Sequence, residues 1–563
     1  LRISRNRDKV ILRYTSPRVN GPAINGVKHS RKSIGRSKMT ARFSGPEMSR
    51  RQLLQLAGAA GLFAAVGVSA TACAGPTGLP GRDTLTLALN RSLVSLDNKL
   101  NQFDAAVTVQ RSVREGLTAI GPDIAPVPML AESMVMASPT RWTVKLREGV
   151  TYSDGRPLKP QDVATALEMY SKVQGSFVAS FFPEFPTVSE VDERTFHLDS
   201  KGPIPILDAL MALILISPAE DNKAEELQTG VGTGPYTVQS FDRGAGTYTL
   251  VRNENYWGEP APIRQVNVRF LPEESSRVIA LRSGEVDVID SISPNSMEQL
   301  EGLPGVTIER ASSLRLNQIF YNFRKPKTHP LSDPRVRQAL SFAIDGKALV
   351  HDVLIDTVEQ AQGVTPTSLS GYAKTGDYVY DPGKAKSLLA DLGVEDLKLK
   401  IIWETGEFPS DTAIMEALVQ MFGDIGVKTE LQQFEPGGNI LQWRQGKEGD
   451  WDLLGNGFSS PTGLAITMLQ GMYAGTAEKE KTRDTYQGYV NDEVERKIAR
   501  AASEVDESRR TALLKVAQQA VWDTWPCAWA FTPKSILARR NRVQNLELSA
   551  ANAYPLARVG LES

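Results

Sequence analysis

Polar and apolar residues alternate over Thr84-Leu85-Thr86-Leu87-Ala88-Leu89 and again over Arg141-Trp142-Thr143-Val144-Lys145-Leu146. That period of two predicts strands. Elsewhere the apolar period is helical. Pro160 suits the first position of a helix, and Gln161 and Asp162 its first turn, where the helix dipole favours negative charge. Val163, Ala166, Leu167 and Tyr170 continue one apolar face. Asp333-Pro334 opens a second helix with Val336, Ala339, Leu340, Ala343 and Ile344 on its apolar side. Asp381-Pro382 opens a third through Leu388, Leu389 and Leu392, which Gly393 stops. Residues 411–422 predict a helix ending near Gly423, residues 427–431 a strand, and residues 493–522 one long or two short helices. Residues 528–548 return to strand patterning, and 210–216 are apolar over about one buried strand's length. Ser153-Asp154-Gly155-Arg156 is turn chemistry. Strands and helices mix along the whole chain without an internal repeat, which predicts an α/β fold.

Ahead of this pattern lies a different kind of sequence. Residues 1–47 hold twelve Lys or Arg and two Asp or Glu, with no hydrophobic period. They read either as a basic arm or as sequence upstream of a natural start at Met39 or Met48; the second reading is adopted, so 1–47 is not part of the mature protein. Residues 48–72 read as an export signal. Ser49-Arg50-Arg51-Gln52-Leu53-Leu54-Gln55 has a twin-arginine pattern, and the Ala- and Gly-rich stretch 56–68 is too short to span a bilayer. Small residues lead to Cys73. They form either a lipobox, with Cys73 lipidated, or a simple cleavage site at Ala70-x-Ala72; lipidation is the reading adopted. Residues 73–83 make a Gly- and Pro-rich tether.

Composition then narrows the chemistry. The 563 residues suffice for two or three domains, and 41% hydrophobic with 23% charged is globular usage. Overall charge is −1, so the chain beyond residue 47 is acidic, at −11, and has no basic block to follow a phosphate backbone. Nucleic acid is not expected as a partner. Two cysteines exclude a disulfide scaffold, and four histidines argue against a metal site. Cys527, in Trp525-Pro526-Cys527-Ala528-Trp529, reads as a buried thiol with no adjacent base. Gly230-Val231-Gly232-Thr233-Gly234-Pro235 resembles a phosphate loop, but such a loop opens a helix, and here Pro235 leads into the strand Tyr236-Thr237-Val238. It reads as a turn. Neither a Walker loop nor a His-Glu-x-x-His or Gly-x-Ser-x-Gly motif occurs. No enzyme is expected; a secreted hydrolase is the lesser alternative. Arg252-Asn253-Glu254-Asn255-Tyr256-Trp257 could touch ligand by composition, and reads as a structural turn with a buried aromatic.

Several segments, in order, carry a family resemblance. They are Met129-Leu130-Ala131-Glu132-Ser133 followed by residues 142–150 and 153–163, then Gly232-Thr233-Gly234-Pro235-Tyr236 with Arg252-Asn253-Glu254-Asn255-Tyr256-Trp257-Gly258. Ser283-Gly284-Glu285-Val286-Asp287, Asn322, Asp333-Pro334-Arg335-Val336-Arg337-Gln338-Ala339-Leu340 and Asp381-Pro382-Gly383-Lys384-Ala385 follow. Over residues 84–535 the chain resembles the extracellular solute-binding proteins of family 5, the peptide/nickel-type binding proteins of ABC importers.

The resemblance implies a two-lobed periplasmic-binding-protein-like fold of type II, in its large form. Lobe I would be 84–314 plus 521–563, with an inserted subdomain at about 103–225, and lobe II 315–520. Ligand would lie between them. Peptide-binding relatives usually carry a Trp in the loop that corresponds to residues 452–461, and an Asp soon after it that holds the peptide's ammonium. Here Phe458 stands near the Trp position, and no Asp or Glu occurs from Gly455 through Gln470. A buried ammonium needs a partner, so another acidic group would have to take that role. The expected ligand contacts are Phe103, Asn322, Trp403, Trp443, Phe458, Ser459 and Ser460. For Trp403 and Trp443 core packing is the ordinary alternative, and for the three loop residues a plain loop is. The implied ligand is a peptide or peptide-like molecule, with a sugar, an opine or a nickel chelate as the alternative. Implied partners are the permease subunits of an importer and, through a lipid anchor, the outer face of the membrane. A sensory or chaperone-like receptor on the same fold would differ only in its partner. The protein would be monomeric and without cofactor or bound metal.

Overall fold

The computed structural model describes residues 83–562, apart from 92–94, 101–103, 122, 174–176, 223–228, 243, 436–437 and 549–553. The leader, the export signal, Cys73, nearly all of the tether and Phe103 lie outside the described residues. The strands are β1 (Thr84–Leu89), β2 (Thr118–Ile120), β3 (Pro126–Pro128), β4 (Ala131–Ser138), β5 (Arg141–Leu146), β6 (Thr187–Glu190), β7 (Thr195–Asp199), β8 (Tyr236–Asp242), β9 (Thr247–Arg252), β10 (Gln265–Phe270), β11 (Val288–Asp290), β12 (Val306–Ser312), β13 (Arg315–Tyr321), β14 (Val358–Gln360), β15 (Lys398–Glu404), β16 (Lys428–Phe434), β17 (Leu453–Ser459) and β18 (Cys527–Arg540). The helices used below are α1 (Asp104–Val113), α2 (Pro160–Lys172), α3 (Pro334–Phe342), α4 (Pro382–Asp391), α5 (Asp411–Asp424), α6 (Ala465–Tyr473), α7 (Asp492–Ser503) and α8 (Glu507–Trp522).

Local chemistry accounts for many boundaries. The Asp333 carboxylate accepts from the Arg335 N–H at 2.8 Å and that of Asp381 from Lys384 at 2.9 Å, so each Asp-Pro pair caps its helix. Gly393, at φ 66°, closes the turn after α4. Residues 493–522 divide because Asp506 caps a new helix by accepting from the Arg509 N–H at 2.8 Å. The apolar stretch 210–216 is buried but does not extend. Its Leu210 and Leu213 N–H groups bond back to the Ile206 and Leu210 carbonyls.

One long strand organises the two lobes. β18 pairs with β13 and β14 over its first half, and with β12 and β11 over its second. Beyond β13 the sheet continues as β17-β15-β16; beyond β11 it continues as β1-β10-β9-β8. Residues 527–531 of β18 therefore stand beside β13, which opens the expected second lobe, and residues 534–540 beside β12 and β11 of the expected first lobe. A separate sheet in the order β4-β5-β7-β6 packs with α2 in the segment where the inserted subdomain is expected. Its core of Val144, Leu146, Val163, Leu167, Phe196 and Leu198 runs on into that of the second lobe. The first lobe is packed on both faces of β1. Leu85, Leu87 and Leu89 join Val266 and Val268 on one side, and Ala88 joins Leu281 and Ile289 on the other.

Candidate ligand-binding site

Strand registers place two sets of strand ends on either side of one segment of β18, the candidate crevice. β15, β16 and β17 run parallel, as do β1, β10 and β11. Going along β18, Phe531 lies opposite Asn317, which lies opposite Gly457 near the carboxyl end of β17. Six residues later Leu537 lies opposite Asp290, the last residue of β11. The carboxyl ends of both parallel sets thus face residues 532–536 of β18 from opposite sides. Open α/β sheets bind ligands outside the carboxyl ends of their strands. Beside this stretch β12 pairs with β18, Ser312 opposite Lys534, and passes through Ser313 and Leu314 into β13. Two neighbouring crossings of this kind join the two parts of the sheet. On the first-lobe side the buried Arg277 guanidinium donates to the carbonyls of Leu271, Pro272, Asp290 and Ser291, fastening the ends of β10 and β11 together.

The second-lobe rim carries the denser chemistry. Glu407 lies in the loop that follows β15. Its Oε1 accepts from the Gly457 N–H at 3.3 Å and forms an ion pair with Arg315. Arg315 Nε donates to Asn317 Oδ1 at 2.8 Å. The other end of that amide, Asn317 Nδ2, is buried and donates to nothing among the described residues. A β-carbon at Gly457 would sit 2.6 Å from Arg315 Nε, so the bare backbone lets the guanidinium lie on the strand. On the other face of β17, Phe458 meets Tyr486 at 5.7 Å between ring centroids, and Phe177 and Phe181 of the inserted subdomain at 5.6 and 6.0 Å. Tyr486 Oη donates to Asn456 Oδ1 at 3.0 Å and holds the strand end from below. Ile124, on the subdomain's β2–β3 turn, stands where a β-carbon of Gly463 would be.

The sequence candidates separate by position. Phe458, Ser459 and Ser460 are together at the crevice end of β17. Ser459 is partly exposed and pairs with Arg315. Ser460 is buried, and its hydroxyl lies 2.7 Å from that of Thr467, which is 2.8 Å from that of Thr462. The segment in which the resemblance leads one to expect an acid is here a closed set of neutral hydroxyls. Trp403 is 2% exposed near the carboxyl end of β15, beside Gly455. Asn322 follows β13 at the far end, where its Nδ2 donates to the Trp451 carbonyl at 2.9 Å. Trp443 packs on Phe434 at 5.3 Å, at the outer edge of the sheet. Arg315, Asn317 and Glu407 were not among the sequence candidates. The one cue to them was Gly-Asn-Gly inside a strand, the mark of a close approach.

Two other buried groups have structural roles. The Cys527 thiol is pushed up to about 12 by burial and lies 3.0 Å from the Tyr378 hydroxyl. Glu115 accepts from the Tyr256 hydroxyl at 2.8 Å and from Trp257 Nε1 at 2.9 Å, so the Asn-Glu-Asn-Tyr-Trp segment is tied into the first lobe. Burial raises the Glu115 carboxyl to about 7. As pH rises above about 4.5 the unfolded chain releases this proton first, so the folded state loses stability until the folded group ionises too. Denaturation midpoints measured at pH 5 and pH 8 should show a loss for the wild type that shrinks by about 2 kcal/mol in Glu115→Gln. Equal losses in both proteins would refute this assignment.

Among the described residues no group of three or more His, Cys, Asp or Glu side chains is placed to hold a metal ion, and no helix is long and apolar enough to cross a membrane. Residues 125–480 match the family described as bacterial extracellular solute-binding proteins, family 5 Middle. The chain is 25% identical over 489 residues to the glutathione-binding protein GsiB of Pectobacterium atrosepticum, covering 85% of this chain and 94% of that one. Its fold is similar to that of the periplasmic binding protein DppA from Helicobacter pylori in complex with the peptide STSA. The TM-score is 0.75 and the identity 21%, over 85% of this chain and 98% of that one. It is also similar to AgaA from A. tumefacien R10 in complex with agropinic acid, with TM-score 0.74 and 22% identity over 85% and 99% of the two chains.

Proposed function

This chain belongs to the bacterial extracellular solute-binding proteins of family 5, and from that premise we propose that it captures a peptide or peptide-like molecule between its lobes and delivers it to the permease subunits of an ABC importer, without converting it. The observation that carries this reading is the facing of the two sets of strand ends across residues 532–536 of β18, beside the second crossing at Ser313 and Leu314. A guest placed there touches both lobes only when they approach. Ligand therefore favours closure by that difference in contact, and an importer can read the closed shape. We take the lobes as 84–314 with 521–563, and 315–520, β18 contributing to both. Phe458, Ser459 and Ser460 are the sequence candidates that stand at this crevice. In the same reading residues 48–72 direct export, Cys73 carries the lipid anchor, and the protein works as a monomer outside the cytoplasmic membrane.

A non-peptide ligand is the second reading, favoured by one observation: Ser460, Thr462 and Thr467 fill the place of the ammonium-binding acid with neutral hydroxyls. Native mass spectrometry of protein purified without denaturant decides between them. The expected result is a small added mass that leaves intact on unfolding and fragments as a peptide. A bound mass with no amide ladder would establish the second reading, and a guest whose mass changes during incubation would overturn binding without conversion.

A further inference from the structure

Two buried cations share one buried carboxylate at the end of α1. Arg114, the residue after this helix, is 1% exposed. Its Nη1 donates to the Leu96 carbonyl at 3.0 Å and its Nη2 to the Thr229 carbonyl. Those carbonyls take up donors without neutralising the charge. Lys99 is 3% exposed; its Nζ lies 3.0 Å from the Asp97 carboxylate and donates to Asn222 Oδ1 at 2.9 Å. Asp97 is also the strongest attraction that Arg114 feels, so one anion serves both cations. Asp221 acts on Arg114 too, but it is paired with Arg156 at 2.7 Å, nearer the surface. Burial outweighs these attractions and lowers the Arg114 guanidinium to about 10, the mark of a charge short of compensation.

Three donors around this guanidinium are unused. Arg114 Nε, Gln110 Nε2 and Thr229 Oγ1 are buried and have no hydrogen-bond partner among the described residues. Gln110 stands one helical turn before Arg114, whose N–H bonds to the Gln110 carbonyl at 2.8 Å, so the two side chains leave the same face. Thr229 is held to the guanidinium through its own carbonyl. All three atoms can donate, and the two nitrogens cannot accept. Water would satisfy the donors and leave the charge. A buried cation with unused donors calls for an acceptor that is itself an anion.

We infer that Arg114, Gln110 and Thr229 hold a small inorganic anion of the halide class where α1 meets the segment that leads into β8. Gly232 packs against the Arg114 stem, and each donor atom is buried, so a single-atom anion suits the place better than a polyatomic one. The ion is a resident part of the fold and not the transported guest. It ties α1 to residues 229–234 and supplies the counter-charge that Asp97 alone does not.

The test uses the purified full chain in potassium gluconate, with chloride, bromide or acetate added at constant ionic strength. The melting temperature should rise saturably with chloride, by about 3 °C or more at one hundred times the half-saturating concentration. Thr229→Val removes one donor and keeps the carbonyl that holds Arg114, and it should raise the half-saturating concentration at least fivefold. Arg114→Met should abolish the response; if that variant does not fold, Gln110→Leu repeats the comparison made with Thr229→Val. Crystals grown in bromide should show an anomalous peak in contact with all three side chains. A chloride response that does not saturate, or that is unchanged in Thr229→Val, would mean an adventitious ion only and would overturn the site. So would bromide peaks confined to the surface. Stabilisation by acetate equal to that by chloride would overturn the halide assignment in favour of a carboxylate-bearing guest. The importer reading is tested separately, by the native mass spectrometry above, and stands or falls without this ion.

Discussion

Gly232→Ala is expected to destabilise the first lobe by at least about 4 kcal/mol, beyond the ordinary range for a single surface-sized change. A β-carbon at this position would fall on the Val113 carbonyl oxygen, 2.7 Å from that group's carbon and 2.8 Å from Arg114 Cγ. Nothing there can yield. Val113 ends α1 and is 1% exposed, and the Arg114 guanidinium beyond it is buried, donating to the Leu96 carbonyl at 3.0 Å and to Thr229. The Gly232 carbonyl is itself committed to the Ser153 N–H at 2.9 Å, which ties this segment to the subdomain's turn. The objection is steric, because φ at Gly232 is not in the left-handed region. Gly202 supplies the control: its φ is equally ordinary, and an added methyl meets nothing within 4 Å, so Gly202→Ala should be nearly neutral. Urea denaturation of the two variants separates the cases. Stability of Gly232→Ala within about 1 kcal/mol of wild type would mean that α1 and the segment leading into β8 are not packed as described.

This glycine-rich segment marks the limit of what a sequence can convey. Pro235 and the strand behind it were enough to reject a phosphate loop, because helix and strand starts are local events. The same holds for the Asp-Pro caps at 333 and 381 and for the break at Asp506. Why glycines stand at 232 and 234 was not visible, since the reason is an α-helix end more than a hundred residues earlier. The proposed binding rim is more strongly non-local. Arg315, Glu407 and Gly457 come from three strands or their loops and meet only after β13, β15 and β17 have paired. The sequence showed that the β17 loop lacks an acid; it could not show that a carboxylate arrives from a loop some fifty residues upstream. Aromatic residues are legible as buried but not as to which end of a sheet they occupy. That is why Trp403 and Trp443, on neighbouring elements, fall at such different distances from the crevice.

Phe458→Ala should have the other large effect, and on two quantities at once. The ring is 6% exposed and lies between Tyr486 of its own lobe and Phe177 and Phe181 of the subdomain. Truncating a buried Phe costs about 3–5 kcal/mol, so overall stability should fall by that order. Only part of this belongs to the seam, and Phe177→Ala isolates it. Phe177 is partly exposed and outside the second-lobe sheet, so its loss removes contact across the seam with little harm to the core beneath Phe458. An aromatic pair contributes about 0.5–1.5 kcal/mol beyond its buried area. If this contact is made only when the lobes are closed, losing about 1 kcal/mol of it lowers the closed-to-open ratio roughly fivefold, 1.4 kcal/mol being a factor of ten. Small-angle scattering of ligand-free Phe177→Ala should therefore report a larger radius of gyration than wild type, while its urea midpoint stays close to wild type. Phe458→Ala should show both the expansion and the lost stability, and the double variant should expand no further than Phe458→Ala alone. If Phe177→Ala leaves the radius unchanged, the aromatic contact does not bias closure, and the balance between open and closed forms rests on β12, β18 and the ligand alone.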